Sequence, residues 1–318
     1  MSKAFASQAD LEDKKVTFAA LGGGAYAYTA EGDPNSGVVV GDDAVMVLDT
    51  QATPIMAQDV IGRIREVTDK PIRYVVLTHY HAVRVLGASA YGATHVIASQ
   101  DTRDLIVERG EQDYASEVGR FPRLFRAVES IPGLTWPNVT FRGEMRVWLG
   151  RTEVQLLQLG RGHTKGDTVA WLPASEVLFS GDLVEFGATP YTGDAYLTDW
   201  PATLDRLAAL NPQALVPGRG DAVIGRDNCR IAIEQTREFV SELLANVRAG
   251  RQAGQPLQAI YHATCERLRP KFDAFAIFDH CLPFDVSRAY DEAGGVRDPR
   301  IWTAERDVEM WRALEKGG

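Results

Sequence analysis

The chain is poor in cysteine and short of positive charge. Three cysteines, Cys229, Cys265 and Cys281, occur in 318 residues. Their odd number and wide spacing exclude a disulfide framework and a CxxC zinc knuckle, so a reducing compartment is the simplest expectation. Lysine and arginine total 34 against 43 aspartates and glutamates, a net charge of −9. That deficit argues against nucleic acid, whose phosphates need a basic footprint. It leaves room for a local basic pocket that takes a small anion. No run approaches the ~20 apolar residues of a membrane helix. The polar start, Met1 to Lys15, carries Asp10, Glu12 and Asp13 and has no signal-peptide core. A cytoplasmic protein with no membrane partner is expected. No fixed-period repeat and no low-complexity segment occurs.

What is present is an ordinary apolar fraction, 45%, with 24% charged residues. A core of normal size needs no disulfide or structural metal at that composition. Short apolar runs alternate with helical patterns. AVMVLD (Ala44 to Asp49) and IRYVVLT (Ile72 to Thr78) read as buried strands. Met56 to Val67 reads as a helix with Ile61, Ile64 and Val67 on one face. The βαβα order predicts an α/β layered fold. Residues 100–135 read as a helical insertion rich in arginine: Arg103, Arg109, Arg120, Arg123 and Arg126. Interleaved acids favour a solvated, self-paired helix face there over an anion-attracting lid. From about residue 226 strand signals fade, so 1–225 reads as the α/β unit and 226–318 as a mostly helical extension.

Three of the six histidines stand where strands end. His79 and His81 lie in LTHYH; two residues apart on extended chain, their side chains share one side. His163 lies in the Gly-bracketed GRGHTKGD, and Asp182 closes LFSGD. Three imidazoles and a carboxylate from three strand ends make an ordinary zinc shell, and one compatible with iron or manganese. A lone strand-end histidine is usually a turn residue. The ordered set HxH, GHT and GD is a far stronger signal than any one member. His95, His262 and His280 lack such context and read as strand, helix or loop residues.

LTHYHAVRVLG, GHTKGD, SGD and VPGRGD, with AVMVLDT before them, resemble the ordered motifs of the metallo-β-lactamase superfamily over residues 16–225. The resemblance implies an αββα sandwich with a metal site at one edge between the sheets. It implies His79, His81 and His163 as ligands of the first metal and Asp182 as a bridging ligand.

The chain departs from that pattern in one direction. Where HxHxDH places Asp and His stand Val83 and Arg84, and where the last histidine belongs stands Arg219. Neither valine nor a protonated guanidinium ligates a metal. One divalent metal per chain is therefore expected, zinc first, iron or manganese as alternatives. Arg84 and Arg219 are expected to fill the second-metal region, pair with Asp182 and bind an anionic group of the substrate.

One metal suffices to hydrolyse a small ester, lactone, amide or thioester, with Asp182 as ligand or general base. A mononuclear iron oxygenase and a non-catalytic metal-stabilised binding protein are the competing readings. Asp49, Thr78, Lys165 and Asp167 are candidate partners orienting the ligands. The triplet Asp279–His280–Cys281, flanked by apolar residues, reads as structural rather than as a nucleophile and base. Phe272, Phe275, Phe278, Leu282 and Phe284 mark an apolar surface that either covers the core or forms a homodimer contact.

Overall fold

The structure, a computed structural model, describes residues 5–315. The first four residues of the polar start and the last three of the helical extension lie outside it. Two sheets form. The first runs in sequence order through β1 (Val16–Gly22), β2 (Ala25–Ala30), β3 (Ser36–Val40), β4 (Val45–Leu48), β5 (Ile72–Leu77), β6 (His95–Ser99) and β7 (Val139–Phe141). It is antiparallel up to β4 and parallel from β4 to β7. The second contains β8 (Glu144–Leu149), β9 (Thr152–Leu157), β10 (Val169–Leu172), β11 (Val177–Gly181), β12 (Ala214–Pro217) and β13 (Val223–Ile224). Its β11–β12 pair is parallel, because a helix crosses between them; its other pairs are antiparallel.

Alternation along the strands sorts side chains into layers. Met46, Leu48 and Val76 face inward and meet Leu149, Leu156, Ala170 and Phe179 of the other sheet. Val45, Val47, Val75 and Leu77 point the opposite way, beneath α1 (Pro54–Val67) and the segments that follow β5. The outer face of the second sheet, through Val169, Trp171, Leu178 and Leu215, packs on α4 (Trp200–Ala208) and the C-terminal helices. Helix, sheet, sheet and helix therefore stack as the αββα sandwich expected from the sequence.

Helix α1 starts at Thr53, whose hydroxyl accepts from Met56 N, with Pro54 in the first turn. Its buried stripe is Ala57, Val60 and Ile64, while Val67 is exposed. The buried face is rotated from the expected one: Ile64 is on it, Ile61 is partly buried at its flank and Val67 faces out. After β5 come a single turn, α2 (Ala82–Val85), and a 3₁₀ turn. Helix α3 (Gln100–Arg120) spans most of the segment read as an insertion and returns the chain to β7.

Helices α5 (Arg226–Gln252), α6 (Leu257–Phe272), α7 (Phe278–Ala293) and α8 (Ala304–Glu315) complete the outer layer. Phe272, Phe278, Leu282 and Phe284 are buried in the same cluster as Leu178 and Leu215. Of the two roles open to that aromatic run, covering the core is the one it takes. Among the described residues no helix is long and apolar enough to cross a membrane.

Candidate metal centre

His79 and His81 follow β5, and His163 sits in the loop between β9 and β10. All three are buried, and their metal-binding atoms lie within 4.8 Å of one another. Each imidazole is fixed by one nitrogen. His79 Nδ1 lies 2.9 Å from Thr78 Oγ1, His81 Nε2 3.2 Å from Asp194 Oδ2, and His163 Nδ1 2.9 Å from Tyr191 O. The remaining nitrogens face one another: His81 Nδ1 and His163 Nε2 are 2.9 Å apart, and His79 Nε2 has no hydrogen-bond partner. An orphaned buried nitrogen beside two others, each tied from behind, suits a shared cation.

The ties continue outward. Asp49, directly after β4, is in a left-handed conformation, φ 58°, and accepts from Thr78 N at 2.9 Å and Thr78 Oγ1 at 2.8 Å. Asp49, Thr78 and His79 thus form one hydrogen-bonded chain. Among the described residues, His163 has Tyr191 O and His81 at its two nitrogens rather than Lys165 or Asp167. Asp167 instead accepts from Thr164 N and Oγ1, at 2.9 and 2.6 Å, and so pins the GHT loop. Burial pushes its carboxyl up to about 7, against the pull of those bonds.

Asp182 stands directly after β11, at the left-handed Gly181, where a Cβ would press on Thr78. Its Oδ2 is 3.7 Å from both His79 Nε2 and His163 Nε2. Its Oδ1 pairs with Arg84 Nη2, and Arg219 Nη1 approaches Oδ2 at 3.4 Å. A side chain at Gly218 would collide with that carboxylate, which explains the glycine before Arg219. Burial alone would raise the Asp182 pKa, but Arg84, the two histidines and Arg219 hold it well below the usual carboxylate range.

The two arginines therefore meet at Asp182, as the sequence suggested, but they play different parts. Arg84 is wholly buried and also donates to Asn35 O at 3.0 Å. Its guanidinium thus sits between Asp182 Oδ1 and Asn35 O. Arg219 lines a tight cavity of about 10 Å³, room for about one water, together with His81, His163, Asp182 and Glu117. It also reaches Glu185 Oε1 at 3.4 Å. Burial, then Asp182, pushes Glu185 up to about 8.

Several residues of the site had no legible signal. Asp194, in the loop after β11, holds His81 and is itself held by Arg109 Nη1 at 3.3 Å. Asp113 and Glu117 of α3 cap the first N–H groups of α2, accepting from Ala82 N and Val83 N at 2.7 Å each. Arg109 and Arg120, expected on a solvated face, are 6% and 1% exposed. His280 and Cys281, read as structural, are buried and line the same cavity as Arg219. Burial opposes protonation of His81, yet Asp113, Asp194 and Glu117 together raise it to about 9. His163 is lowered by burial to about 3, and His79 also falls well below the usual range.

Converging imidazoles at one edge of an αββα sandwich point to one class of metalloprotein, and the comparisons agree. The family model of the metallo-beta-lactamase superfamily matches residues 29–219. A metallo-beta-lactamase type 2 of Bacteroides fragilis is 26% identical over 217 residues, 66% of this chain and 77% of that protein. A linear primary-alkylsulfatase of Pseudomonas sp. (strain ATCC 19151) is 23% identical over 231 residues; the match covers 63% of this chain and 44% of the alkylsulfatase. The metallo-beta-lactamase from Pontibacter korlensis has a TM-score of 0.56 at 19% identity, over 71% of this chain and 99% of that one. The chain belongs to the metallo-beta-lactamase superfamily. The family match ends at Arg219, so α5 to α8 lie beyond it.

Proposed function

We propose that the chain is a metal-dependent hydrolase of a small, anionic ester, lactone, amide or thioester, built around one divalent ion held by His79, His81 and His163. Zinc is the first choice for a three-imidazole shell, with iron or manganese compatible. The observation that carries the reading is the division of labour in the imidazoles: one nitrogen of each is fixed by a neighbour, and the other faces its fellows. When bound, such an ion supplies Lewis acidity and an acidified water.

The chain's own residues do the rest. Asp182, kept ionised by Arg84 and Arg219, presents Oδ2 toward the imidazoles as a ligand or as a base that orients water. Arg84 stands in for the charge of a second metal and is a positioning residue. Arg219, on the cavity wall, stabilises negative charge that develops on the substrate. Val83 is buried beside the same cavity and offers no donor, so no second ion is held there. The net charge of −9 and the three cysteines support a cytoplasmic protein acting on small molecules.

The test is elemental analysis of protein purified without chelators, beside His163→Ala, followed by assay on ester, lactone and thioester panels. One equivalent of metal, lost with its activity in the variant, is the expected result. Two equivalents in the wild type, or activity that survives loss of the metal, would overturn the reading.

A further inference from the structure

The loop between β11 and α4 fixes two of the three imidazoles, through Tyr191 O on His163 and Asp194 Oδ2 on His81. Residues 182–199 form no helix and no strand, only an isolated bridge from Ala188 to Ala276. Residues 191–197 are nevertheless buried. A buried loop without a ladder must find partners for its backbone polar groups elsewhere. Between Tyr191 and Thr198 its backbone bonds to itself and to the sandwich are few. Ala195 N donates to Thr192 O, Tyr196 N donates to Gly162 O, and Tyr196 O accepts from Asp199 N and Trp200 N.

The other partners lie in the C-terminal extension. Asp285 Oδ1 accepts from Thr192 N at 2.7 Å and from Thr192 Oγ1 at 3.0 Å. Arg288 Nε donates to Ala195 O at 2.7 Å. Glu292 accepts from Leu197 N at 3.0 Å and Thr198 N at 2.8 Å. Asp285, Arg288 and Glu292 recur at spacings of three and four, so one face of α7 makes all these bonds. Beyond α7, Trp302 Nε1 donates to Gly193 O at 3.0 Å. A Cβ at Gly193 would collide with that nitrogen and with Tyr191 Oη, which explains the glycine. Arg109 Nη1 reaches Asp194 Oδ1 and Pro299 O, at 3.3 Å each. The stretch that carries Tyr191 O and Asp194 is thus pinned on both sides of each by residues 285–302.

We infer that the C-terminal extension completes the metal centre: Asp285, Arg288 and Trp302 are positioning residues that hold Tyr191 O and Asp194 where His163 and His81 need them. The inference rests on the reading of the histidine cluster as the metal centre. The segment that matches the family ends at Arg219, and all three residues lie beyond it. That segment supplies the imidazoles; the extension supplies the support of two of them. Outer partners matter because an imidazole free to turn binds a metal less tightly. Burial raises the Asp285 carboxyl well above the usual range, against the pull of Thr192. A neutral carboxyl accepting through one oxygen is closely matched by asparagine, whereas alanine strands Thr192 N.

The test is zinc affinity of the full chain, measured by competition with a chromogenic chelator. Wild type, Asp285→Ala, Asp285→Asn and Trp302→Phe are compared, with the melting temperature of each metal-free protein recorded beside it. Asp285→Ala should bind zinc about tenfold more weakly, the lower end of the loss for an outer partner. Asp285→Asn should restore affinity to near the wild-type value. Trp302→Phe keeps a ring in place and removes one N–H; it should weaken zinc by about threefold or more. A misfolded Asp285→Ala therefore leaves the question answerable. Lower melting temperatures with wild-type affinity in both Asp285→Ala and Trp302→Phe would overturn the inference, since the extension would then be structural only. Loss of affinity in Asp285→Asn as large as in Asp285→Ala would overturn it too, because the bonds from Thr192 would not be the cause. No zinc on the wild type would sink the reading of the histidine cluster itself, and this inference with it, whereas zinc on the wild type with unchanged variants removes this inference alone.

Discussion

Arg84 and Asp182 form an ion pair shut away from solvent, at 0% and 3% exposure, where the family pattern places metal ligands. A buried pair of this kind is costly to break, because the survivor keeps its desolvation penalty. Arg84→Leu should lower stability by roughly 3–5 kcal/mol in urea unfolding. Arg84→Leu combined with Asp182→Asn should recover part of that loss, as no carboxylate is then stranded. A double variant as unstable as the sum of the singles would show that the two side chains do not act as a pair.

The same geometry makes the replacement of a metal by arginine reversible in principle. Val83→Asp, Arg84→His and Arg219→His together would rebuild the ligand set that the sequence pattern lacks. Elemental analysis should then rise from one equivalent of divalent metal toward two. A triple variant that folds, by circular dichroism, yet stays at one equivalent would count against the idea that the guanidiniums fill a vacated metal position.

Asp194 gives a sharper probe of the first site. It fixes His81 through Nε2 without facing the other imidazoles. Loss of such an outer partner lowers metal affinity by about 10–100-fold. Asp194→Asn should show that drop in competition with a chelator, and Thr78→Val, which releases His79 Nδ1, should show a similar one. Unchanged affinity in both would mean that the imidazoles are held by packing alone.

The difference between what the sequence shows and what it hides follows from where the contacts run. His79, His81 and Asp182 are legible because they follow closely on strands marked by apolar runs, and His163 because glycines bracket its loop. Asp194 is not: its contact with His81 crosses 113 positions and carries no periodic mark. Helix α3 misleads for a different reason. Its buried stripe begins with Leu105 and Ile106 but continues through Arg109, Asp113, Ser116, Glu117 and Arg120, at helical spacing but polar in that half. Hydrophobic periodicity assigns such a stripe to solvent. It is inside because its charges meet partners in other elements: Asp194, the N–H groups of α2, and Asp307. Element order alone pointed to an α/β layered fold, and the resemblance of the ordered motifs implied the αββα sandwich; in it Met46 and Val47 face opposite layers.

Metal binding and stability should respond to pH in opposite senses. In the metal-free protein His81 is raised to about 9 and Glu185 to about 8. For both groups the folded state holds a proton that the unfolded state has lost. The stability they contribute is complete below their unfolded values, about 6.5 and 4.3, and disappears as pH climbs through 8 and 9. The histidines with lowered values titrate below that window and do not reverse the trend. The metal-free protein should therefore melt at lower temperature at pH 9 than at pH 7. A metal at this site must displace the proton on His81, so its affinity should rise by about tenfold per pH unit until about pH 9. The two trends add in one observable: the increase in melting temperature on adding zinc to chelator-treated protein should be larger at pH 9 than at pH 7. Calorimetry in two buffers of different ionisation enthalpy should also report about one proton released per metal at pH 7. A metal-induced shift that shrinks as pH rises, with no proton released, would show that His81 is neutral before the metal arrives and that Asp113, Asp194 and Glu117 do not charge it.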